Sequence, residues 1–105
     1  MRNDPETSQI LDLVRRFVEG EKQRYPVSAA WLFGSWAYGR PGENSDIDVG
    51  LVLEGDTDLD LESAIFQDAQ ALDWRLEPHV FSRAYFEKAR RSLVYDIKEK
   101  GIRIA

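Results

Sequence analysis

Two aspartates, Asp46 and Asp48, stand at positions i and i+2 at the head of an apolar run that ends at Leu53. An extended chain alternates its side chains, so both carboxylates leave from one face while Ile47, Val49, Leu51 and Leu53 leave from the other. Like charges this close repel unless something neutralises them. A divalent cation that prefers hard oxygen ligands does so, and Mg²⁺ or Mn²⁺ fits, with phosphate oxygens and water completing the shell. Asp-x-Asp alone also fits a plainer arrangement, in which Asp46 caps the strand and Asp48 faces solvent.

Three neighbours strengthen the first reading. Gly34 and Ser35 end the apolar run Val27 to Phe33 in a turn, where free backbone N–H groups and a hydroxyl suit phosphate oxygens. Glu77 lies between Leu76 and Val80 and offers a third carboxylate, costly to bury alone and relieved by a shared metal. Arg40 sits in the Gly-, Pro- and Asn-containing turn of residues 36–45, within reach of an anionic ligand. His79, two residues beyond Glu77, can project from the same face, although a lone histidine is more often a hydrogen-bonded structural residue. Among the tryptophans, Trp36 beside the turn, together with Tyr38, is the one to watch for ligand or partner contact; Trp31 and Trp74 read as packing residues.

The elements that must hold these groups are marked by periodicity. Asp4 and Pro5 have the form of a helix N-cap and first residue, and Ile10, Leu13, Val14, Phe17 and Val18 then mark one helical face that ends before Pro26. Val27–Phe33 and 46–53 read as strands joined by a turn, which makes the sheet at least partly antiparallel. Leu61, Ala64, Ile65, Ala69 and Leu72 mark a second long helix, and 75–81 a third strand despite Pro78. Ser82 can cap the next helix. Tyr85, Phe86, Ala89, Leu93 and Ile97 support one or two closing helices, with Gly101 as a C-cap before a short apolar tail. This order predicts an α/β (α+β) fold with a small mixed β-sheet flanked by helices.

At 105 residues the chain has the size of one domain. The absence of cysteine removes disulfides and thiolate sites, and the single histidine excludes a histidine-rich metal centre, leaving oxygen donors. No apolar run approaches a membrane span, and the N-terminus lacks a signal-peptide core, so a cytoplasmic location with no membrane partner is expected. The net charge of −5 argues against direct nucleic-acid binding. Residues 41–77 hold eleven acids against one base. Glu54, Asp56, Asp58, Asp60 and Glu62 read as a solvated loop entering a helix. Arg83, Lys88, Arg90 and Arg91 read as a solvated basic side of the closing helices.

Gly34-Ser35, ten residues, then Asp46-x-Asp48, in the context LFGSWAYGRPGENSDIDVGLVL, resembles the signature of the minimal nucleotidyltransferase (MNT) family within the polymerase β-like superfamily. LEPHVFSRAYF resembles that family's third catalytic strand and places its carboxylate at Glu77, in preference to Asp73 at the preceding helix end; KEKGIRI resembles its final helix and short strand. Tyr38 departs from the pattern, standing where many members have a basic residue, and Arg40 is the candidate substitute. The resemblance implies a single minimal nucleotidyltransferase domain over 1–105. Asp46, Asp48 and Glu77 would be catalytic and metal-binding residues for two Mg²⁺ ions, with Gly34, Ser35 and Arg40 binding ATP.

Short members of that family are commonly encoded with a helical HEPN protein and act as antitoxins that transfer AMP to its tyrosine hydroxyl. The chain's length leaves little room for an acceptor pocket, which agrees with a partner-supplied acceptor. Transfer to a small-molecule hydroxyl such as an aminoglycoside's, a non-catalytic steric antitoxin, and assembly as a homo-oligomer are the readings left open.

Overall fold

In a computed structural model that describes residues 5–38, 46–89 and 92–105, the aspartate-bearing run forms the centre of the molecule. Strand β2 (Ile47–Leu53) lies between β1 (Val27–Phe33), to which it is antiparallel, and β3 (Leu76–Ser82), to which it is parallel. A two-residue strand β4 (Ile102–Arg103) pairs antiparallel with the other side of β1, giving a mixed four-stranded sheet in the order β3-β2-β1-β4. β2 is apolar on both faces after Asp48, as a central strand buried on both sides must be. The parallel β2–β3 pairing is possible because α3 (Leu59–Leu72) carries the chain back along the sheet.

One face of the sheet carries Ile47, Val49, Leu51, Leu53, Ala30, Leu32 and Leu76, packed under Ile10, Val14, Phe17 and Val18 of α1 (Pro5–Arg24) and Ile65 and Ala69 of α3. Truncating Ile47 or Leu51 to alanine here costs about 2–5 kcal/mol, through lost transfer energy and the cavity left behind. The opposite face carries Phe33 and Val52, covered by Phe86 of α4 (Arg83–Lys88) and Val94 and Ile97 of α5 (Ser92–Lys100). The mixed sheet flanked by helices expected from the sequence is therefore what forms. Among the closing-helix residues, Leu93 is exposed and Val94 takes the core position, because Val94 and Ile97 share the face turned to the sheet. Tyr85 is likewise exposed, its ring stacked on Phe81 rather than buried.

Local chemistry sets the boundaries. Asp58 caps α3 by accepting from Leu61 N at 2.8 Å, and Ser82 caps α4 by accepting from Tyr85 N at 3.2 Å. Asp60 and Glu62 fall in the first turn of α3, where the helix dipole favours acids, so part of the acidic run has a structural use. α5 ends where Gly101 N donates to Ile97 O at 2.8 Å; a Cβ at Gly101 would collide with that oxygen. Asp4, Arg90 and Arg91 lie outside the described residues. No helix among the described residues is long and apolar enough to cross a membrane.

Candidate active site

The C-terminal end of β1 and the N-terminal ends of β2 and β3 meet at one end of the sheet. Phe33, the last residue of β1, pairs with Asp48, and the next residue, Gly34, turns with φ +75° into the short helix α2 (Ser35–Tyr38). Only glycine takes this conformation without strain. A Cβ at Gly34 would also run into the Asp48 carboxylate, so backbone and acid occupy adjoining space only because the side chain is missing. Ser35 follows as a half-buried residue at the start of α2, and Ala37 N donates to Gly34 O at 3.1 Å, closing the turn.

Across the parallel pair, Asp48 is level with Glu77 and Gly50 with His79. His79 Nε2 donates to Asp48 Oδ1 at 3.2 Å and lies 3.9 Å from Glu77 Oε1. The imidazole stands edge-on to the Phe33 ring, with centroids 5.0 Å apart and planes at 62°. One donor atom from each of Asp48, Glu77 and His79 lies within 4.8 Å of the other two. A hydrogen bond shared with Asp46, then burial, then the Asp48 charge hold the Glu77 carboxyl above its ordinary range; His79 opposes them. This is the signature of acids crowded beyond what water comfortably solvates.

Asp46 is exposed and reaches the cluster through its hydrogen bond with Glu77, while Asp48 sits at its centre. Asp73 is engaged elsewhere. It ends α3 and forms a two-pronged pair with Arg75, Nε to Oδ1 and Nη2 to Oδ2 both at 3.1 Å, which holds its carboxyl below the ordinary range. Residues 39–45, Arg40 among them, and the Tyr38 side chain lie outside the described residues. Trp36 is 2% exposed, which corrects the expectation of nucleotide or partner contact: it packs in the core under the turn it follows.

The exposed tryptophan is Trp74, at 63%, which with Phe66, Gln70, Arg75, Asp46 and Glu77 lines a cavity of about 320 Å³ beside the acids. Phe66 carried a signal for this: it falls next to Ile65 and off the stripe of residues 61, 65, 69 and 72, so the helix must turn it outward. A larger hollow, about 550 Å³, includes Ala29 and Val52 at the far end of the sheet. Its charged lining is already engaged: Arg83 pairs with Glu54 and Glu87, Lys98 lies over Phe86, and Arg103 lies over Trp31.

The chemistry of this donor set fits a divalent cation, since carboxylates beside an imidazole at coordinating separations satisfy one another poorly and an ion well. The adjoining Gly34 turn leaves backbone next to that position, as a phosphate-bearing ligand of the ion requires.

The architecture has known counterparts. A Sulfolobus solfataricus protein provisionally assigned as a nucleotidyltransferase superposes with a TM-score of 0.67 at 17% identity, over 92% of this chain and 80% of that one. A toxin-antitoxin structure with AMP-PNP gives 0.66 at 20% identity, over 87% and 72%. A tri-AMPylated Shewanella oneidensis HEPN toxin in complex with an MNT antitoxin gives 0.60 at 17% identity, over 90% and 71%. At these identities the likeness is one of fold. No curated protein sequence matches the chain. The nucleotidyltransferase domain model matches residues 14–104, a span that contains β1, the Gly34 turn, Asp46, Asp48 and Glu77, and the chain therefore belongs to the nucleotidyltransferase domain family.

Proposed function

We propose that this chain is a Mg²⁺-dependent nucleotidyltransferase that moves AMP from ATP to a hydroxyl, with a tyrosine of a HEPN-type helical partner as acceptor, and so works as an antitoxin. The observation that carries the reading is the contact of one carboxylate, Asp48, with both the Gly34 turn and the Glu77–His79 edge of β3. A phosphate-binding turn and a cation-binding acid cluster thus share one boundary. The structural likeness to a toxin-antitoxin structure with AMP-PNP and to an AMPylated HEPN toxin with its MNT antitoxin supports the choice of nucleotide and partner.

In this mechanism the backbone N–H groups at Gly34 and Ser35 and the Ser35 hydroxyl take the β- and γ-phosphate oxygens, with Arg40 a further contact to the nucleotide. Asp46, Asp48 and Glu77 would hold Mg²⁺, two ions in this reading, and the metal would supply charge neutralisation on the triphosphate and a lowered pKa for the acceptor hydroxyl. The acceptor oxygen bonds to the α-phosphorus as the bond to the α–β bridging oxygen breaks; pyrophosphate leaves, with Glu77 placed to take the hydroxyl proton. The acceptor protein approaches over Phe66 and Trp74, whose exposed rings border the acids.

The test is label transfer from α-phosphate-labelled ATP with Mg²⁺ in a lysate of the source cells, comparing wild type with an Asp46→Asn, Asp48→Asn double variant. A protein band labelled by wild type alone, with the label on tyrosine by mass spectrometry, is the expected result. No band, or equal bands from both proteins, overturns it. Neutralisation of the partner by the double variant would instead establish a steric antitoxin.

A further inference from the structure

His79 is the one member of the donor cluster that acid chemistry alone does not explain. Its cross-strand neighbour on β2 is Gly50, which carries no side chain, and the imidazole leans along the strand to put Nε2 3.2 Å from Asp48 Oδ1 and 3.9 Å from Glu77 Oε1. The edge contact with Phe33 fixes the ring from the β1 side. Donors at adjacent vertices around an ion with bonds of ~2.1 Å stand roughly 3 Å apart, and donors at opposite vertices roughly 4.2 Å. The separations of Nε2 from the two carboxylates lie within that interval, so the ring stands close to a ligand position.

We propose that His79 Nε2 is a metal ligand together with Asp48 and Glu77, and that this nitrogen raises the affinity of the site for first-row transition ions, with Mn²⁺ as the probe, while Mg²⁺ gains little from it. The inference rests on the cation-binding part of the proposed function. Mg²⁺ gains little from an imidazole and favours all-oxygen shells, whereas transition ions gain from nitrogen donors in the order of their affinities. For ligation the ring carries its proton on Nδ1 and turns the Nε2 lone pair to the ion; the hydrogen bond to Asp48 is exchanged for a shared ion.

The experiment is a titration of the full chain with Mn²⁺ and, separately, Mg²⁺, without nucleotide, for wild type, His79→Phe and Asp48→Asn. Binding is followed by electron paramagnetic resonance for Mn²⁺ and by calorimetry for both ions. His79→Phe keeps a ring against Phe33 and removes the nitrogen; circular dichroism and thermal melting establish that each variant is folded. His79→Phe is expected to lose about tenfold in affinity for Mn²⁺ and less for Mg²⁺, narrowing the gap between the two ions. Pulsed resonance of the wild-type Mn²⁺ complex is expected to show a ¹⁴N coupling that His79→Phe lacks, which a merely structural histidine would not produce. Equal Mn²⁺ affinity in wild type and His79→Phe, with no ¹⁴N coupling in either, overturns the inference even where label transfer proves Asp48-dependent. A ¹⁴N coupling in a protein that transfers no label keeps the inference and removes the proposed function instead.

Discussion

Gly34 and Asp48 divide one small volume between them: the space a Cβ would take at the first is filled by the carboxylate of the second. The pair comes from two strands, brought level where Phe33 meets Asp48 in the antiparallel register. It ties the Gly34 turn to the acid cluster more closely than the sequence spacing alone suggests.

Gly34→Ala is therefore expected to fail twice. The backbone at φ +75° is strained for alanine, and the added methyl displaces Asp48. A loss of about 1–3 kcal/mol in unfolding free energy, read by urea titration, should accompany loss of label transfer and of metal binding.

Asp48→Asn is expected to abolish transfer while leaving the apo fold intact or slightly firmer, because the Asp48 charge is one of the causes that raise Glu77. Glu77 is partly exposed, so relief amounts to about 0.5 kcal/mol or less. The check is thermal melting with and without Mg²⁺: wild type should gain stability from the ion, and the variant should not.

Glu21 supplies a pH dependence remote from the site. It is 1% exposed in α1, facing Asp68 of α3, with Arg24 bridging at 3.5 Å to Glu21 and 2.9 Å to Asp68. Burial first, then the hydrogen bond and charge of Asp68, push its carboxyl up to about 7. The folded state thus holds a proton that the unfolded state releases near the ordinary value of 4.5, so stability falls as pH rises from about 4.5 to 7 and levels off above. Glu21→Gln should remove that slope, raising stability at pH 8 by roughly 1–3 kcal/mol and leaving it nearly unchanged at pH 4.5. Chemical denaturation at the two pH values reads the difference.

Trp74→Ala removes a ring that is 63% exposed and should leave the melting temperature within a degree or so. On the proposed docking of the acceptor over Phe66 and Trp74, labelling of the protein acceptor should weaken about tenfold through acceptor KM, with ATP affinity unchanged. Steady-state labelling at varied acceptor concentration separates the two effects.

Much of the fold is legible in the residues. The alternation from Asp46 to Leu53, the stripe from Ile10 to Val18 and the break at Gly34-Ser35 mark β2, α1 and the turn, because each pattern reports one buried face directly. The strand order and the parallel pairing of β2 with β3 are not legible, since they depend on which surfaces α3 and α5 cover, a tertiary outcome that periodicity does not encode. Trp36 and Trp74 change places for a related reason. A tryptophan beside a polar segment reads as exposed, yet α2 turns Trp36 into the core, and the bend after α3 leaves Trp74 outside. His79 is visible in the sequence as a residue near Glu77, but its reach to Asp48 depends on the parallel register that sets Gly50 beside it.

The position of β3 at the outer edge of the sheet bears on the fate of the nucleotide in the proposed reaction. Glu77 and His79 stand on that outermost strand, so β2 flanks the acid cluster on one side and, among the described residues, no further strand follows on the other. In the proposed reaction, solvent would then be the competitor for the α-phosphorus. A centre built this way would be a half-mould, with the surface of the proposed acceptor serving both as reactant and as the wall that keeps water out.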